Sequence, residues 1–196
     1  ARSLGRTRAA ALYRALALFF RDFRPYYGTR DATRVGQRSM AIGINRRYSV
    51  PTVTVNMRLM RKPGVAELID AIDDILEALD PTFTSTSIQI NDNFPGNLHV
   101  DRSSAGDSRM LVVGDDALEG GELWCGGAIL PTRDKMIAFD GNVPHMTMPY
   151  AGAVRYSVVL FTYAQICRNG GDGSALKRAR ALGIRSPAPP APVRKS

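Results

Sequence analysis

The chain has 196 residues, of which 44% are hydrophobic, and a formal net charge of +8. This length and composition suit one folded domain with its own core and exclude wholesale disorder. Two cysteines, Cys125 and Cys167, are too few for a disulfide framework, and the apolar run at residues 15–20 is too short to span a membrane.

Two helices are predicted in the first half of the chain. Residues from about Thr7 to Phe23 are rich in Ala, Leu and Arg, and Pro25 sets the limit of this helix. The second helix runs from Gly64 to Asp80, where apolar residues recur at three-to-four spacing and acidic residues occupy the other face.

Most of the remaining signal indicates strands, because short β-branched or aromatic runs alternate with Gly, Asp or Pro turns. We predict strands at Ser39–Ile44, Val53–Leu59, Ser85–Asn91, Leu98–Arg102, Ser108–Val113, Gly121–Ala128, Lys135–Phe139, His145–Met148 and Val154–Tyr163. Many short strands after two helices predict an α+β, mainly β fold: a β-sandwich or barrel with helices against one sheet.

The charge divides the chain into three segments. Residues 1–48 hold 11 Arg against two Asp, residues 49–166 hold 8 basic against 15 acidic residues, and residues 167–196 hold 7 basic residues against one Asp. We predict a basic N-terminal helical segment at 1–36, a folded domain at 37–166 and a basic, flexible tail rich in Gly, Ala and Pro at 167–196. The lack of an initiating Met, with the Gly-rich run at 170–173 and the Pro-rich run at 186–192, suggests a domain cut from a longer protein or one that ends in a flexible tail.

The basic flanks would supply the positive field that a polyanion such as nucleic acid attracts. Arg30 to Arg47, with Arg34, Arg38 and Arg46 between them, could contact phosphates. A solvated, arginine-rich surface explains the same charges equally well.

The only two histidines have the spacing of a mononuclear iron site. His99 and Asp101 are two residues apart, so a strand would point both side chains to one face. His145 follows 46 residues later and Arg155 ten residues after that. Two imidazoles and one carboxylate on one face of Fe(II) leave adjacent positions for a 2-oxo acid and dioxygen. A buried Arg155 would suit the far carboxylate of 2-oxoglutarate, and Ser157 could add a hydrogen bond.

Residues from about Ser85 to Gln165 resemble, in order, the iron(II)/2-oxoglutarate-dependent dioxygenase superfamily, with its His-x-Asp pair, distal His and Arg about ten residues later. The stretch at 91–108, with Gly114-Asp115 and Gly120-Gly121-Glu122-Leu123, is more narrowly similar to the ten-eleven-translocation and base-J-binding-protein branch. Ser104 stands where that branch has Asn, and two cysteines cannot build the zinc-binding region of its animal members.

The resemblance implies a double-stranded β-helix, or jelly roll, at 37–166, buttressed by the N-terminal helices. It implies that His99, Asp101 and His145 bind iron and act in catalysis, that Arg155 anchors 2-oxoglutarate, and that Asn91 lies near this cosubstrate. The implied cofactors are Fe(II), 2-oxoglutarate and O2, with ascorbate as a candidate reductant.

The narrower branch implies that the substrate is the methyl group of 5-methylcytosine or thymine in nucleic acid. A base in duplex DNA would have to be flipped out of the stack. Tyr48, Phe94, Trp124 and Tyr150 are candidates for its pocket, although aromatic residues of a sandwich usually belong to the core. We expect an intracellular protein, nuclear if it is eukaryotic and acts on DNA, with no membrane association; a monomer would suffice.

Two other interpretations stay open. One is a protein or small-molecule hydroxylase on the same core, in which Gly-Gly-Glu-Leu also occurs. The other is a non-catalytic, cupin-like metal-binding module, against which Arg155 argues because simple metal binding needs no buried arginine. A Ser-His-Asp hydrolase is less well supported, since neither His lies near a nucleophile-elbow sequence.

Overall fold

The structure is a computed structural model and describes residues 1–21, 37–46, 53–102, 104–168 and 173–187. The helices within these ranges are α1 (Arg6–Arg21), α2 (Met57–Met60), α3 (Val65–Leu79), α4 (Ala164–Arg168) and α5 (Gly173–Ala181). The strands are β1 (Arg2–Ser3), β2 (Arg38–Arg46), β3 (Val53–Val55), β4 (Ser87–Asp92), β5 (Ser108–Gly114), β6 (Glu119–Gly120), β7 (Leu123–Cys125), β8 (Ala128–Leu130), β9 (Lys135–Phe139), β10 (His145–Thr147), β11 (Tyr150–Ala151) and β12 (Arg155–Phe161).

A large antiparallel sheet forms the centre of the molecule, in the order β1-β9-β5-β12-β4-β2-β3. Strand β12 lies in its middle, with Ser157 opposite Asn91 of β4 on one side and Val112 of β5 on the other. Because alternate residues of a strand point to opposite faces, each strand contributes one set of side chains to each face of the sheet.

One face of this sheet packs against α1 and α3. The apolar stripe of α1 includes Leu12 and Leu16, that of α3 includes Leu68 and Ile72, and all four side chains are fully buried. They meet β-branched and aliphatic residues of the sheet in the main hydrophobic core. Both predicted long helices are confirmed within a few residues, because their three-to-four periodicity matched a buried face.

The other face packs against two small sheets, which have the orders β10-β7-β8 and β11-β6. A second apolar cluster fills the space between the large sheet and the small sheets. It contains Met110, Val112, Leu118, Leu123, Ile137 and Phe139. The strands therefore form two facing layers, and we call the side of the large sheet that faces the small sheets the inner face.

Two predicted strands differ from the observed structure in part. Residues 57–59 belong to helix α2, because the side chain of Asn56 accepts a hydrogen bond from the Leu59 N–H and caps the helix. The predicted strand at 121–128 is divided into β7 and β8 by Gly126 and Gly127, whose φ angles of +56° and +92° make a turn.

Two other segments also differ from the prediction. The segment 98–102 has a single β-bridge at His99, because the chain turns at residues 100–102, where the Arg102 N–H donates to the Val100 carbonyl. In the predicted flexible tail, residues 173–181 form α5, which buries Ala175, Leu176 and Ala179 in the main core. None of the helices in the described ranges has the length and hydropathy needed to cross a membrane.

Candidate metal centre

The two histidines are brought together by a bridge between their backbones. The N–H of His99 donates to the carbonyl of His145 over 3.1 Å, and the N–H of His145 donates to the carbonyl of His99 over 3.0 Å. Their rings are 4.2 Å apart between centroids and tilted by 55°. The side chain of His145 is 5% exposed and that of His99 is 38% exposed, so the pair spans from the interior to the surface.

The carboxylate of Asp101 joins this pair. The backbone N–H of Asp101 donates to the carbonyl of Gly141 over 2.7 Å, which joins the segment that contains His99 to the loop before His145. Oδ1 of Asp101 lies 3.7 Å from Nε2 of His99, and Oδ2 lies 3.7 Å from Nε2 of His145. All three side chains therefore converge on one point, as predicted, although residues 98–102 form no continuous strand.

The hydrogen bonds of the histidine rings decide which nitrogen faces the carboxylate. Nδ1 of His99 bonds to the carbonyl of Asn97, and Nδ1 of His145 bonds to the carbonyl of Val143 over 2.8 Å. A carbonyl can only accept, so each Nδ1 must carry the proton. In the neutral imidazoles Nε2 then presents a lone pair toward Asp101.

This donor set fits a metal ion. The distance of 3.7 Å is too long for a hydrogen bond between Nε2 and the carboxylate, and the potential ligand atoms all lie within 4.8 Å of one another. Three ligand atoms around one point are suited to bind a cation between them. Two imidazoles and one carboxylate are the ligand set of non-haem Fe(II) sites that keep coordination positions open.

Arg155 is buried on the inner face of β12, with 1% of its surface exposed. Nη2 donates to the carbonyl of Gly121 over 2.9 Å, and the guanidinium carbon lies 5.1 Å from the centroid of the Tyr150 ring. Nε and Nη1 have no hydrogen-bond partner among the described residues. Burial lowers the pKa of Arg155 to about 10, against the opposing influence of Tyr150 and Glu122. A buried cation with two unpartnered nitrogens is suited to an anionic ligand.

Gly121 makes room for this arginine. Its φ angle is +77°, and a Cβ atom at this position would lie 2.7 Å from Nε of Arg155. Any other residue would therefore strain the backbone and displace the guanidinium. The carbonyl of Gly121 also accepts a hydrogen bond from the hydroxyl of Thr132, so it stays bonded if the arginine moves.

Ser157 and Asn91 lie next to each other on the same inner face. They are paired across β12 and β4, and Nδ2 of Asn91 donates to Oγ of Ser157 over 3.1 Å. Ser157 is two residues from Arg155, so both side chains leave β12 on the same side. Their contact with a cosubstrate stays a prediction.

Two polar residues of this face were not predicted from the sequence. Gln89 lies two residues before Asn91 on β4, and Ser39 is paired with Asn91 across β2. Gln89 could have been found from the two-residue period of the strand, because it shares the face of Asn91. Ser39 could not, since the pairing of β2 with β4 is not visible in the sequence.

The other predicted contact residues have different surroundings. Nε of Arg38 donates to Asp92 over 2.7 Å and Nη1 to the carbonyl of Phe20 over 2.6 Å, so these two nitrogens are engaged on the helix side of the sheet. A contact of Arg38 with phosphate stays a prediction. Trp124 neighbours Cys125, the partner of His145, and points to the opposite face of its sheet.

The remaining candidates give less information. Phe94 is half-buried, and Tyr150 packs against Arg155 rather than standing free. Arg30, Arg34, Arg47 and Tyr48 lie outside the described residues, as does the side chain of Arg46.

Comparisons with known proteins relate the chain to others by fold alone. No protein-family model and no curated protein matches the sequence. The structure of NgTET1 in complex with 5mC DNA matches with a TM-score of 0.54 and 14% identity, over 82% of this chain and 69% of that one. A Trichoplax adhaerens prolyl hydroxylase in complex with a hypoxia-inducible-factor peptide matches with a TM-score of 0.55 and 11% identity, over 93% and 84%.

A further match, an oxidoreductase of the 2OG-Fe(II) oxygenase family from Burkholderia pseudomallei, is 18% identical over 76% of each chain, with a TM-score of 0.46. The two higher scores confirm the predicted fold. The chain has a jelly-roll fold like that of these two proteins, mainly β, with its helices on the face of the large sheet opposite the inner face.

Proposed function

We propose that this chain is an iron(II)- and 2-oxoglutarate-dependent dioxygenase. The observation that carries the proposal is the combination of two features in one jelly-roll fold. The ligand atoms of His99, Asp101 and His145 converge on one point, and Arg155 is buried on the inner face with two nitrogens that have no partner among the described residues.

In this proposal His99, Asp101 and His145 hold the iron. Bound iron(II) supplies oxygen activation, in which one O2 and one 2-oxoglutarate give succinate, CO2 and one oxygen atom inserted into a C–H bond of the substrate. Arg155 binds the distal carboxylate of 2-oxoglutarate with Ser157, and Asn91 supports Ser157. The carbonyls of Asn97 and Val143 keep the imidazole protons away from the metal.

For the substrate we propose the methyl group of a methylated base, 5-methylcytosine or thymine, in nucleic acid. The support is the positive charge of the two terminal segments and the likeness of fold to NgTET1, which was solved with 5mC DNA. An intracellular location, nuclear in a eukaryote, follows from this substrate. A protein hydroxylase is the second candidate, because the prolyl hydroxylase matches with a similar TM-score.

The test begins with the purified protein, iron(II), ascorbate and 2-oxoglutarate under air, with methylated DNA, unmethylated DNA or a mixed peptide pool. Mass spectrometry of succinate, nucleosides and peptides gives the result. The proposal expects succinate together with an oxidised nucleoside from methylated DNA only. Succinate with oxidised peptides would reject the DNA substrate and retain the oxygenase.

A second measurement separates an oxygenase from a metal-binding module without turnover. Under anaerobic conditions, 2-oxoglutarate added to the iron(II)-loaded protein should produce a weak visible charge-transfer band, because the 2-oxo acid chelates the metal. Iron binding without this band would favour the non-catalytic module. The Asp101→Ala variant is the control, and Asp107→Ala, an exposed carboxylate that follows it in the chain, is the matched variant expected to behave like the wild type.

A further inference from the structure

Four polar side chains form a continuous chain of hydrogen bonds across three strands of the inner face. Nε2 of Gln89 donates to Oγ of Ser39 over 2.7 Å, and Oγ of Ser39 donates to Oδ1 of Asn91 over 2.7 Å. Nδ2 of Asn91 donates to Oγ of Ser157 over 3.1 Å. This hydrogen-bond chain therefore begins at Gln89 and ends at Ser157, two residues from Arg155.

The direction of the protons in this chain is fixed at its first member. The amide nitrogen of Gln89 is only a donor, so the hydroxyl oxygen of Ser39 accepts there and must use its single proton on the next partner. That partner is the amide oxygen of Asn91, which Gln89 also contacts at 3.4 Å. With its oxygen engaged on this side, Asn91 turns its NH2 group toward Ser157.

Ser157 is left as a donor by this order. Its oxygen accepts from Asn91, and among the described residues its hydroxyl proton has no acceptor, although the side chain is 1% exposed. Arg155, on the same side of β12, can also only donate, through Nε and Nη1. The two residues together therefore present donors and no acceptor to this part of the interior.

We propose that Gln89 and Ser39 are positioning residues that hold the Ser157 hydroxyl as a donor, so that Ser157 and Arg155 together select a 2-oxo acid with a distal carboxylate. This inference rests on the proposed function, because it assumes that Arg155 binds the cosubstrate. A carboxylate satisfies donors only, whereas a ligand ending in a methyl group would leave both of them buried without a partner. Gln89 and Ser39 need not contact the ligand to have this effect.

The Gln89→Glu variant reverses the order of donors and acceptors in this hydrogen-bond chain, because Glu has almost the same shape as Gln but its carboxylate only accepts. A carboxylate at residue 89 accepts the proton of Ser39, so the NH2 group of Asn91 turns toward Ser39 and its oxygen toward Ser157. Ser157 then donates to Asn91 and has no proton left for a ligand. Ser39→Thr keeps the hydroxyl and is the conservative variant, expected to bind like the wild type.

The experiment is a double-mutant cycle between residues 89 and 157, measured by calorimetry of 2-oxoglutarate binding to the Mn(II)-loaded protein. In the wild-type background Ser157→Ala should weaken binding by roughly tenfold or more, since it removes a hydrogen bond to a charged group. In the Gln89→Glu background the same change should weaken binding by less than about twofold. An equal loss in both backgrounds would mean that the introduced carboxylate acts only by repelling the ligand, and would overturn the proposal.

The comparison ligand is 2-oxopentanoate, which has the same length with a methyl group in place of the distal carboxylate. Its affinity should not respond to Gln89→Glu or Ser157→Ala. If the wild type binds neither ligand, or binds both equally, the role of Arg155 in the proposed function fails and this proposal fails with it. If the wild type binds 2-oxoglutarate selectively and Gln89→Glu binds it with the same affinity, only the positioning role of Gln89 and Ser39 is overturned.

A second measurement needs no variant and covers the case in which Gln89→Glu does not fold. In the wild type, NMR of the side-chain amides should show a shift of the Asn91 NH2 resonances with 2-oxoglutarate, because a carboxylate that accepts from Ser157 polarises the bond from Asn91. The resonances should stay in place with 2-oxopentanoate. Equal shifts with both ligands, or none with either, would contradict the proposed chain.

Discussion

His99 and His145 make two contacts with each other: a reciprocal pair of backbone hydrogen bonds, and a contact between rings whose centroids are 4.2 Å apart. The two residues are 46 positions apart in the sequence, so an ion between their rings would also join two distant segments. Metal binding and the stability of this part of the fold are therefore coupled.

The first prediction is that a divalent metal raises the unfolding temperature of the wild type. At a free Mn(II) concentration of about 100 times Kd, the free energy of unfolding should rise by about 2.7 kcal/mol, because the ion binds only the folded site. His145→Ala should unfold at the same temperature with and without metal. The measurement is thermal unfolding followed by circular dichroism, and a metal-dependent rise that persists in His145→Ala would place the ion elsewhere.

The second prediction compares two glycines with positive φ. Gly121→Ala should abolish 2-oxoglutarate binding, because its Cβ would lie 2.7 Å from Nε of Arg155. Gly127→Ala is the matched control, since Gly127 has a φ of +92° but a Cβ atom there would have no neighbour within 4 Å among the described residues. Both variants should lose about 1–2 kcal/mol of stability from backbone strain, and calorimetry should separate them. Equal affinities in the two variants would mean that Arg155 does not depend on this space.

The third prediction concerns the free energy of unfolding of an Arg155→Met variant. The guanidinium is buried, and two of its nitrogens have no partner in the part of the chain that the structure describes. The carbonyl of Gly121 keeps its bond from Thr132 when Arg155 is replaced. Without ligand the variant should be as stable as the wild type or more stable by about 1–4 kcal/mol, as when buried charges are replaced by apolar side chains. It should lose 2-oxoglutarate binding completely. A marked loss of stability in urea unfolding would show that Arg155 is a structural residue.

The fourth prediction is the pH dependence of 2-oxoglutarate affinity. Burial lowers the pKa of Arg155 to about 10, so the group stays charged below about pH 9. Affinity should therefore show no Arg155-dependent change between about pH 7 and 9 and fall as the pH rises through about 10. In the ligand-free protein the pKa is lowered on folding, so burial of this charge opposes folding below about pH 10 and opposes it less as the pH rises further. Arg155→Met should lack this change in stability.

The fifth prediction tests the role of Arg38. Replacing it with Met leaves the buried carboxylate of Asp92 without its partner, and the variant should lose up to about 3 kcal/mol of stability near pH 7. Burial raises the pKa of Asp92, and loss of Arg38 raises it further, so the defect should be smaller at low pH, where the carboxyl is protonated. The double variant Arg38→Met/Asp92→Asn should recover most of the loss. Unchanged stability with weaker DNA binding would instead assign Arg38 to a phosphate contact.

Local patterns predicted what depends on local chemistry. The periodicity of α3 and the alternation of β5, β9 and β12 located these elements within a few residues, because each has one face in contact with a core. The strand prediction failed at residues 57–59 and 98–102. A side-chain cap at Asn56 and a turn after Val100 outweighed the apolar alternation there.

The sequence by itself determined the types of residue in the candidate centre: two histidines, a carboxylate two residues from the first and an arginine ten residues after the second. It also determined the mainly β class of the fold. Tertiary structure alone decided that Nε2 of each histidine faces Asp101, that Gly121 leaves space for Arg155, and that Ser39 and Gln89 join Asn91. The reason is that ring orientation, close packing and strand pairing depend on groups far apart in the sequence, whose contacts are created only when the sheets pair and pack.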